Sequence, residues 1–549
     1  MNLPASFIDY TRSLLGDEEY DKLAAALQQE PPVSIRLNNG KASSSIPHSS
    51  LNKVPWASEG FYLDERLTFT FDPLFHAGCY YVQEASSMFV EQVLRQYVTE
   101  PVVMLDLCAA PGGKSTHARS VLPEGSLLVA NEVIRNRSQI LAENLTKWGH
   151  PDVVVTNNDP ADFSSLPSFF DVILTDVPCS GEGMFRKDPV AVEEWSPENV
   201  AICWQRQRRI IADIWPSLKP GGILIYSTCT YNTKEDEENV RWIQQEFGAE
   251  PLALEVGKDW NITGNLLRDE SNNSKLLRNS EDLGIAGNFE NSETARGSEN
   301  SKNTRNYVDS ENAIGSVNSE TTIDSANSRA ARSSENSVQK APVYHFFPHK
   351  TKGEGFFLAA LRKPETEEDA TPAFSFAKGK TSKKKDKKSG ATPSLVTKEH
   401  LNVAKSWLNE EESAGYLLST EGTTIQIFPQ QYADELAAMK QSLKIVSAGV
   451  GVGEVKGKDL IPDHALAMSS ALLRRTAFAT EEVTYEQAIA YLRKEAITLS
   501  VTAPRGYVLL TYRNIPLGFV KNIGNRANNL YPQEWRIRSG YLPDEIKTL

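Results

Sequence analysis

The sequence predicts an α/β fold centred on a parallel sheet that helices cover on both faces. Between Val102 and Ile243, short runs of β-branched apolar residues alternate with amphipathic helical patterns. The runs are apolar at nearly every position, as expected of strands that are buried on both faces. Strand–helix alternation of this kind indicates parallel strands joined by helices.

Five strands and three helices are predicted in this region. The strands are VVMLDL (Val102–Leu107), SLLVAN (Ser126–Asn131), DVVVT (Asp152–Thr156), DVILTD (Asp171–Asp176) and GILIYST (Gly222–Thr228). The helices are at about Lys114–Val121, Asn136–Lys147 and Glu198–Leu218. Because ligands of such sheets bind at the carboxyl ends of the strands, the loops after each strand are the candidate functional loops.

The loop after the first strand is rich in glycine and is a candidate ligand-binding loop. Gly112 and Gly113 permit a tight turn and a close approach of a ligand to the backbone. The spacing is neither that of G-x-G-x-x-G nor that of a P-loop, which favours a nucleoside without phosphates. The candidate binding residues of this loop are Cys108, Ala109, Ala110, Pro111, Gly112, Gly113 and Lys114.

Acidic residues follow the next two strands. Glu132 stands where an acid accepts hydrogen bonds from a ribose diol. Asp159 follows the third strand and could accept a hydrogen bond from an adenine amino group. Each acid alone is more often a helix cap or a surface residue, but three suitable loops in succession favour a bound adenosine without pyrophosphate. S-adenosylmethionine fits this description.

Cysteines follow the fourth and fifth strands. Cys179 lies in DVPCSGEG, three residues after Asp176, and Cys229 lies in STCTY. If the first strand is flanked by the fourth and then the fifth, the two loops converge and place two thiols near one methyl donor. A single cysteine is usually a small buried hydrophobe, and Cys79 and Cys203 are interpreted in that way. The residues alone do not rank Cys179 and Cys229.

Composition excludes several classes of protein. The chain has 549 residues, 58 basic and 71 acidic, for a net charge of −13, which argues against a polybasic nucleic-acid binder. It has no apolar run long enough to span a membrane and no secretory signal pattern at its start. The five cysteines have no close ligand spacing, so a disulfide scaffold and a bound metal are disfavoured. A reducing, cytoplasmic location is expected.

Two segments differ in composition from the rest of the chain. Residues 261–340 contain 14 Asn and 14 Ser with two aromatic residues, and we interpret them as a disordered insertion. Residues 364–395 combine an acidic patch with seven lysines between Lys378 and Lys388. This second segment is interpreted as a solvated linker or as a flexible basic arm that contacts RNA phosphates.

The C-terminal segment from Arg505 to Gly540 is locally basic. It holds six basic residues and one acid, Glu534, with aromatic residues between them. Basic residues for phosphates and aromatic residues for exposed bases are typical of single-stranded RNA binding. The alternative is a β-rich domain whose aromatic residues form an ordinary core. The residues are Arg505, Arg513, Lys521, Arg526, Arg536 and Arg538, with Tyr507, Tyr512, Phe519, Tyr531 and Trp535.

The motifs together resemble the Nol/Nop/Sun family of RNA cytosine-5 methyltransferases. DLCAAPGGKS, the D-x-P-C-S-G-x-G loop and the S-T-C-T loop carry the resemblance, and PPVSIRLN (Pro31–Asn38) looks like a family RNA-recognition strand. GEGMFRKD and the C-terminal region look most similar to the RsmF branch, whose members methylate small-subunit ribosomal RNA in bacteria. The resemblance implies a Rossmann-like class I methyltransferase domain, a small N-terminal α/β RNA-recognition domain and a C-terminal mixed α/β region that ends in a PUA-like, β-rich domain.

The implied organisation has six parts. They are an N-terminal RNA-recognition region (1–95), a catalytic core (96–260), the disordered insertion (261–340), the final strands of the core (341–363), the charged linker (364–395) and a C-terminal RNA-binding region (396–549).

The resemblance also implies roles for individual residues. Cys229 would be the nucleophile, Cys179 would assist product release, Asp176 would bind the cytosine edge and the cofactor region, and Lys114 would orient Asp176. The cofactor would be S-adenosylmethionine and the partner RNA, with no membrane or metal and a monomer favoured. A tRNA-directed enzyme of the same family and a non-catalytic ribosome-assembly factor that binds RNA are the alternatives.

Overall fold

The computed structural model describes residues 2–42, 51–267, 341–365, 396–540 and 545–549. The expected disordered insertion and the expected charged linker lie outside these ranges, apart from residues 261–267 and 364–365. Among the described helices, none is long and apolar enough to cross a membrane.

The N-terminal region forms a small antiparallel sheet with short helices around it. The sheet has four strands in the order β2-β3-β1-β4. The elements are α1 (Ala5–Leu15), α2 (Asp17–Ala26), β1 (Val33–Leu37), α3 (Asn39–Ala42), β2 (Asn52–Lys53), β3 (Gly60–Leu63), α4 (Pro73–His76), β4 (Tyr80–Val82) and α5 (Val90–Tyr97).

The central region alternates strands and helices, as predicted. Its elements are β5 (Val103–Asp106), α6 (Gly113–Val121), β6 (Leu127–Asn131), α7 (Arg135–Trp148), β7 (Val153–Thr156), β8 (Phe170–Asp176), α8 (Pro189–Glu194), α9 (Pro197–Ile214), β9 (Leu218–Thr228), α10 (Glu237–Phe247), β10 (Glu250–Leu252), β11 (Tyr344–Phe346) and β12 (Phe356–Arg362). The five predicted strands correspond to β5 to β9, and the three predicted helices correspond to α6, α7 and α9.

The strand order brings the two cysteine loops together. β5 pairs in parallel with β6 and with β8, and β8 pairs in parallel with β9. The first strand of the sheet is therefore flanked by the fourth and then the fifth. The strands β6 and β7 extend the sheet on one side of β5, and β8 and β9 extend it on the other. Ligands of such sheets bind outside the carboxyl ends of the strands where the order reverses, here at β5 and β8.

Apolar side chains on both faces of this sheet form two separate cores. Alternate residues of β5, Met104 and Leu105, enter opposite cores, and both are fully buried. This accounts for the continuous apolar runs in the sequence, because each strand must supply both layers. The fold class predicted from the sequence is thus confirmed.

The C-terminal region contributes a strand to the central sheet. Its elements are α11 (Lys398–Ser406), β13 (Tyr416–Glu421), β14 (Thr424–Pro429), α12 (Ala433–Ser442), β15 (Ile445–Ala448), β16 (Val450–Lys456), β17 (Asp459–Pro462), α13 (His464–Met468), β18 (Ala479–Glu482), α14 (Tyr485–Leu492), β19 (Gly506–Tyr512), β20 (Ile515–Asn522) and β21 (Ala527–Asn529). β15 pairs antiparallel with β7 at the edge of the central sheet. The other C-terminal strands form two four-stranded sheets, β13-β14-β16-β17 and β18-β19-β20-β21.

A buried arginine joins the N-terminal sheet to the central region. Arg36 of β1 belongs to the PPVSIRLN segment, which resembles an RNA-recognition strand. It is 1% exposed, so its side chain cannot contact RNA. Its Nε donates to Gln83 Oε1 at 2.9 Å and its Nη2 donates to Thr116 Oγ1 at 2.6 Å. The guanidinium also lies 4.2 Å from the ring centre of Trp148. Burial lowers the pKa of Arg36 to about 9.

Replacing Arg36 is expected to destabilise the fold. The Arg36→Met variant keeps an apolar stem but leaves Gln83 Oε1 without its charged donor, so we expect a loss of about 2–3 kcal/mol. The measurement is thermal denaturation followed by calorimetry. Arg12→Met is the matched control, because the ion pairs of Arg12 with Asp17 and Asp21 are exposed and should contribute little to stability. Equal losses in the two variants would contradict the assignment.

Candidate functional site

The glycine-rich loop connects β5 to α6 at the carboxyl edge of the sheet. Gly112 has a φ of +113°, a backbone conformation that residues other than glycine rarely adopt. A Cβ on Gly113 would lie 3.3 Å from the Tyr81 ring, so this turn is closely packed against the N-terminal region. The loop therefore presents backbone, with little side-chain bulk, to the crevice.

Asp106 is a buried acid at the end of β5. Its Oδ2 accepts a hydrogen bond from Ser115 Oγ at 2.6 Å, and its buried Oδ1 has no partner among the described residues. Burial raises the pKa of Asp106 to about 7, although the Ser115 hydrogen bond lowers it in part. The Asp106–Ser115 contact attaches the start of α6 to the strand.

Glu132 follows β6 and is almost fully buried. Its Oε1 accepts from the backbone N–H of Ile134 at 2.9 Å, and its Oε2 lies 3.4 Å from Arg137 Nη1. Arg137 Nη2 also donates to the carbonyl oxygen of Ala110 at 2.9 Å. Arg137 thus joins two of the predicted ligand loops. Sequence reasoning missed it because a half-exposed arginine on a helix carries no motif.

Asp159 follows β7 and caps a short 3-10 helix. Its Oδ1 accepts from the backbone N–H of Ala161 at 3.1 Å, and its side chain is exposed. The capping role that was the alternative for such an acid is therefore present. Because one oxygen serves the cap, the other is the candidate acceptor for an adenine amino group.

A residue of the C-terminal region lies beside this loop. Lys444 Nζ donates to Asn157 Oδ1 at 2.8 Å, and the backbone N–H of Lys444 donates to Asn158 Oδ1 at 2.9 Å. These contacts continue the pairing of β15 with β7. The loop that carries Asp159 is therefore positioned partly by residues almost 290 positions away in the chain.

Cys179 and Cys229 meet at the carboxyl ends of β8 and β9. Their Sγ atoms are 3.2 Å apart, and the backbone N–H of Cys229 donates to Cys179 Sγ at 3.4 Å. Both residues are half-buried. The convergence that strand order predicted for the two loops is present.

The pKa of the Cys179 thiol is raised well above its usual value. The hydrogen bond with Cys229 is the first cause, and burial is the second. Cys179 is therefore protonated near neutral pH.

Asp176 and Lys114 form an ion pair next to the cysteines. Lys114 Nζ donates to Asp176 Oδ2 at 2.8 Å, and Ser227 Oγ donates to Asp176 Oδ1 at 2.9 Å. Burial alone would lower the pKa of Lys114, but the charge of Asp176 and this hydrogen bond outweigh it and raise the pKa. Lys114 is thus a cation in the crevice, and both oxygens of Asp176 have fixed directions.

The other three cysteines differ from this pair. Cys79 and Cys203 are buried, and burial raises the pKa of Cys79 to about 12 and that of Cys203 to about 11. Cys108 lies in the glycine-rich loop, where burial again raises the thiol pKa. None of the three has a second sulfur as a hydrogen-bond partner in the described parts of the chain.

The charged side chains at these strand ends suit a cationic nucleoside. The acids Asp106, Glu132 and Asp176 lie at three strand ends, whereas Arg137 and Lys114 are each paired with one of them. Such a lining disfavours phosphate and favours ribose hydroxyls and a positive sulfonium. No group of His, Cys, Asp and Glu suited to a metal ion occurs within the described ranges.

Two of the five aromatic residues of the C-terminal basic segment are buried, whereas Tyr507, Tyr512 and Trp535 are partly exposed. Phe519 is 1% exposed and Tyr531 is fully buried, so stacking of bases on these two rings is excluded and the alternative of core aromatics is correct for them. Phe519 packs in a core with Leu466 and Leu509, whereas Tyr531 packs in a separate core with Tyr491 and Val520. Five of the six basic residues are exposed, and Lys521 is partly so.

Three family models match consecutive parts of the chain. The N-terminal domain of 16S rRNA methyltransferase RsmF matches residues 3–85, 16S rRNA methyltransferase RsmB/F matches residues 94–256, and the methyltransferase RsmF PUA domain matches residues 478–537.

Curated relatives and solved structures are also similar to the chain. Ribosomal RNA small subunit methyltransferase F of Pectobacterium atrosepticum is 38% identical over 45% of this chain and 54% of its own length, so the chain spans about half the length of that relative. The protein of the same description from Klebsiella pneumoniae is 28% identical over 98% of this chain and 97% of its own length. The crystal structure of NSun6 from Pyrococcus horikoshii with SFG has a TM-score of 0.45 and 20% identity, and the match covers 66% of this chain and 99% of that one.

Proposed function

Because the chain belongs to the RsmB/F family of 16S rRNA methyltransferases, we propose that it transfers a methyl group to C5 of a cytosine in small-subunit ribosomal RNA. The cofactor is S-adenosylmethionine, whose nucleoside and sulfonium suit the acidic lining of the crevice. The observation that carries the proposal is the 3.2 Å separation of the Cys179 and Cys229 sulfur atoms beside Asp176. An enzyme with this substrate would act in the cytoplasm.

The chemistry of cytosine explains why a thiol pair is required. C5 is too weak a nucleophile to accept a methyl group unaided, and addition of a thiolate at C6 moves electron density to C5. When bound, S-adenosylmethionine supplies the methyl group. A base must then remove the C5 proton so that the thiol can leave. Two easier steps thus replace one difficult step.

We assign the addition at C6 to Cys229 and the assistance of product release to Cys179. The S-T-C-T context supports the choice of Cys229. The raised pKa of Cys179 supports the second role, because the hydrogen bond with Cys229 is the largest cause that raises it. Once Cys229 has become a thioether, its sulfur is a weaker acceptor for the Cys179 thiol, so the pKa of Cys179 falls. Cys179 can then lose its proton to solvent, and its thiolate can accept the C5 proton.

Asp176 and Lys114 complete the proposed active site. Asp176 would accept a hydrogen bond from the exocyclic amine of the cytosine, beside N3, and so hold the base as the enamine forms. Lys114 donates to Asp176 Oδ2 and Ser227 donates to Oδ1, so the carboxylate is oriented before the base arrives. A stacked cytosine must leave the helix, at a cost of about a few kcal/mol, and contacts of the N-terminal and PUA-like domains with RNA would offset it.

The proposed cofactor site uses the other three strand ends. The glycine-rich loop from Cys108 to Gly113 would contact the cofactor through its backbone, Glu132 would bind the ribose, and Asp159 would bind the adenine amino group. Arg137 would keep the first two of these elements together.

The function is tested by methyl transfer from tritium-labelled S-adenosylmethionine to RNA, followed by bisulfite sequencing. We expect label in 16S rRNA, either free or in the small subunit, and one or a few protected cytosines. Naked RNA binding by an acidic chain should weaken steeply with salt. Label in tRNA alone would show that the substrate is wrong, and binding of rRNA without label would favour a non-catalytic assembly factor.

A further inference from the structure

Behind the two cysteine loops lies a run of three buried acids. Glu235 and Asp236 are fully buried and Glu237 is 1% exposed, although the surrounding segment, Lys234 to Glu238, contains only charged residues. A run of this composition would normally be a solvated surface. Its burial directly beneath the proposed active site needs a physical reason.

Asp236 contacts both neighbours of Cys229 through a single oxygen atom. Its Oδ1 accepts hydrogen bonds from Thr228 Oγ1 at 2.6 Å and from Thr230 Oγ1 at 3.1 Å. Thr228 and Thr230, the residues on either side of Cys229, are thus held by the same carboxylate.

Glu235 makes the equivalent contacts with the other loop. Its Oε2 accepts from the backbone N–H of Ser180 at 3.0 Å, and its Oε1 accepts from Ser180 Oγ at 2.5 Å. Ser180 directly follows Cys179. Gln207 and Asn232 donate to the remaining positions of the carboxylate at 2.7 and 2.8 Å.

We propose that Glu235 and Asp236 are positioning residues that set the separation and orientation of the two cysteine side chains. The two acids are consecutive, so one peptide unit connects the contacts with the Cys179 loop to those with the Cys229 loop. The inference rests on the proposed function for its catalytic consequence, but the geometry of the sulfur atoms can be tested without it.

Backbone contacts between the loops do not replace these acids. The N–H of Val177 donates to the carbonyl oxygen of Ser227 at 3.1 Å, and the N–H of Gly183 donates to that of Cys229 at 2.8 Å. These bonds lie on either side of Cys179 and Ser180. Between them, Glu235 holds Ser180 through two hydrogen bonds, while Gln207 donates to the carbonyl oxygen of Pro178 at 3.0 Å.

Both acids are buried, and the charge of Glu235 is one of the smaller causes that raise the pKa of Cys179. Burial is the first cause that raises the pKa of Asp236 well above its usual value, and burial also raises the pKa of Glu235. His345 Nδ1 is the nearest recorded basic nitrogen to Asp236, at 4.0 Å from Oδ2. The positioning role rests on geometry, because both oxygens of Glu235 and Oδ1 of Asp236 accept hydrogen bonds from residues next to the two cysteines.

The experiment measures sulfur proximity and catalysis in the same variants of the full chain. Diamide accepts two hydrogen atoms from a thiol pair to give a disulfide and the reduced hydrazine, so its rate of reaction reports how often the two sulfurs meet. Peptide mass spectrometry identifies the Cys179–Cys229 disulfide. Methyl transfer to 16S rRNA gives kcat and KM, and calorimetry gives the Kd for S-adenosylmethionine.

We expect Asp236→Ala to slow disulfide formation by about 10-fold and to lower kcat by about 100-fold, as for a misplacement of about 1 Å. The KM for RNA and the cofactor Kd should change little. Asp236→Asn keeps an acceptor oxygen at the position of Oδ1 and should restore both rates. Glu235→Ala should lower both rates through the Cys179 loop, and Glu235→Gln should restore them only in part, because both oxygens of Glu235 accept hydrogen bonds and glutamine keeps one.

Two further variants control for loss of folding. Glu237→Ala removes a buried carboxyl from the same run, but Glu237 accepts from His345 and Leu266 and makes no recorded contact with either cysteine loop, so its sulfur pair should react as in the unmodified chain. The double variant Thr228→Val, Thr230→Val keeps Asp236 and removes its two hydroxyl donors, and should reproduce Asp236→Ala.

The possible results separate the inference from the proposed function. Wild-type disulfide rates in folded Asp236→Ala and in the double valine variant would overturn the positioning role, and so would failure of a folded Asp236→Asn to restore them. If the unmodified chain methylates no RNA, the proposed function fails, whereas the disulfide rates still test the positioning of the sulfurs.

Discussion

The Cys229→Ala variant is expected to lose methyl transfer, with a fall in rate of about 10⁴-fold or more. Without the thiol at this position, no nucleophile adds to C6 of the cytosine, and C5 stays too electron-poor to accept the methyl group. Cys179 lies 3.2 Å away but follows a different strand, so its sulfur approaches the ring from another direction. Transfer of label from tritiated S-adenosylmethionine to 16S rRNA measures the loss.

Cofactor binding separates a chemical defect from a folding defect in this variant. The residues proposed to bind the cofactor lie after β5, β6 and β7, whereas Cys229 follows β9, so the Kd for S-adenosylmethionine should change little. Cys203→Ala is the matched control, because Cys203 is buried in α9 and its sulfur has only Asn199 as a weak partner. Full activity in Cys229→Ala would remove the basis of the proposed mechanism.

The central part of the site was predictable because its signals are local. The strands β5 to β9 appear as apolar runs, and the motif residues Gly112, Asp176, Cys179 and Cys229 all follow those runs directly. Strand order then determines which loops are neighbours. The closeness of two sulfurs separated by 50 positions in the chain thus follows from topology, without any contact being visible in the sequence.

The residues that sequence reasoning missed depend on contacts between distant segments. β15 is four residues long, and no local pattern shows that it pairs with β7. Arginine is common in RNA-binding surfaces, but Arg36 is buried. Its burial is possible because Gln83 and Thr116, which lie far along the chain, accept hydrogen bonds from its guanidinium. Glu235 and Asp236 lie in a charged run that predicts a solvated surface, and only the folded chain places hydroxyl donors around them.

The aromatic residues near the C-terminus are a case in which a sequence pattern predicted a function that burial excludes for two of them. Basic and aromatic residues alternate between Arg505 and Gly540, as they would in an RNA-binding surface. The same mixture arises when aromatic residues pack in a core and basic residues lie on the surface. Burial of Phe519 in β20 and of Tyr531 after β21 shows that this second cause applies to these two rings.

The Cys179→Ala variant is expected to accumulate a covalent complex between the protein and RNA. Cys229 can still add to C6 and methylation can still occur, but the group proposed to assist removal of the C5 proton is absent. Release should therefore slow by about 10²- to 10⁴-fold, the usual range for loss of a general acid or base. The complex is measured as an RNA-linked band that survives denaturing electrophoresis and that contains one methyl group from the labelled cofactor.

The double variant Cys179→Ala, Cys229→Ala should show no such band, because the bond to RNA is made by the Cys229 sulfur. The single variants also decide between the two sulfurs, since each role gives a distinct product. A covalent band in Cys229→Ala with none in Cys179→Ala would show that Cys179 is the nucleophile and that the roles are reversed. A band in neither variant, with activity retained by the unmodified chain, would mean that methyl transfer proceeds without a cysteine adduct. In the expected case, the 3.2 Å contact between the sulfurs explains both the addition and the release, because the proton acceptor for the second step lies beside the atom that made the first bond.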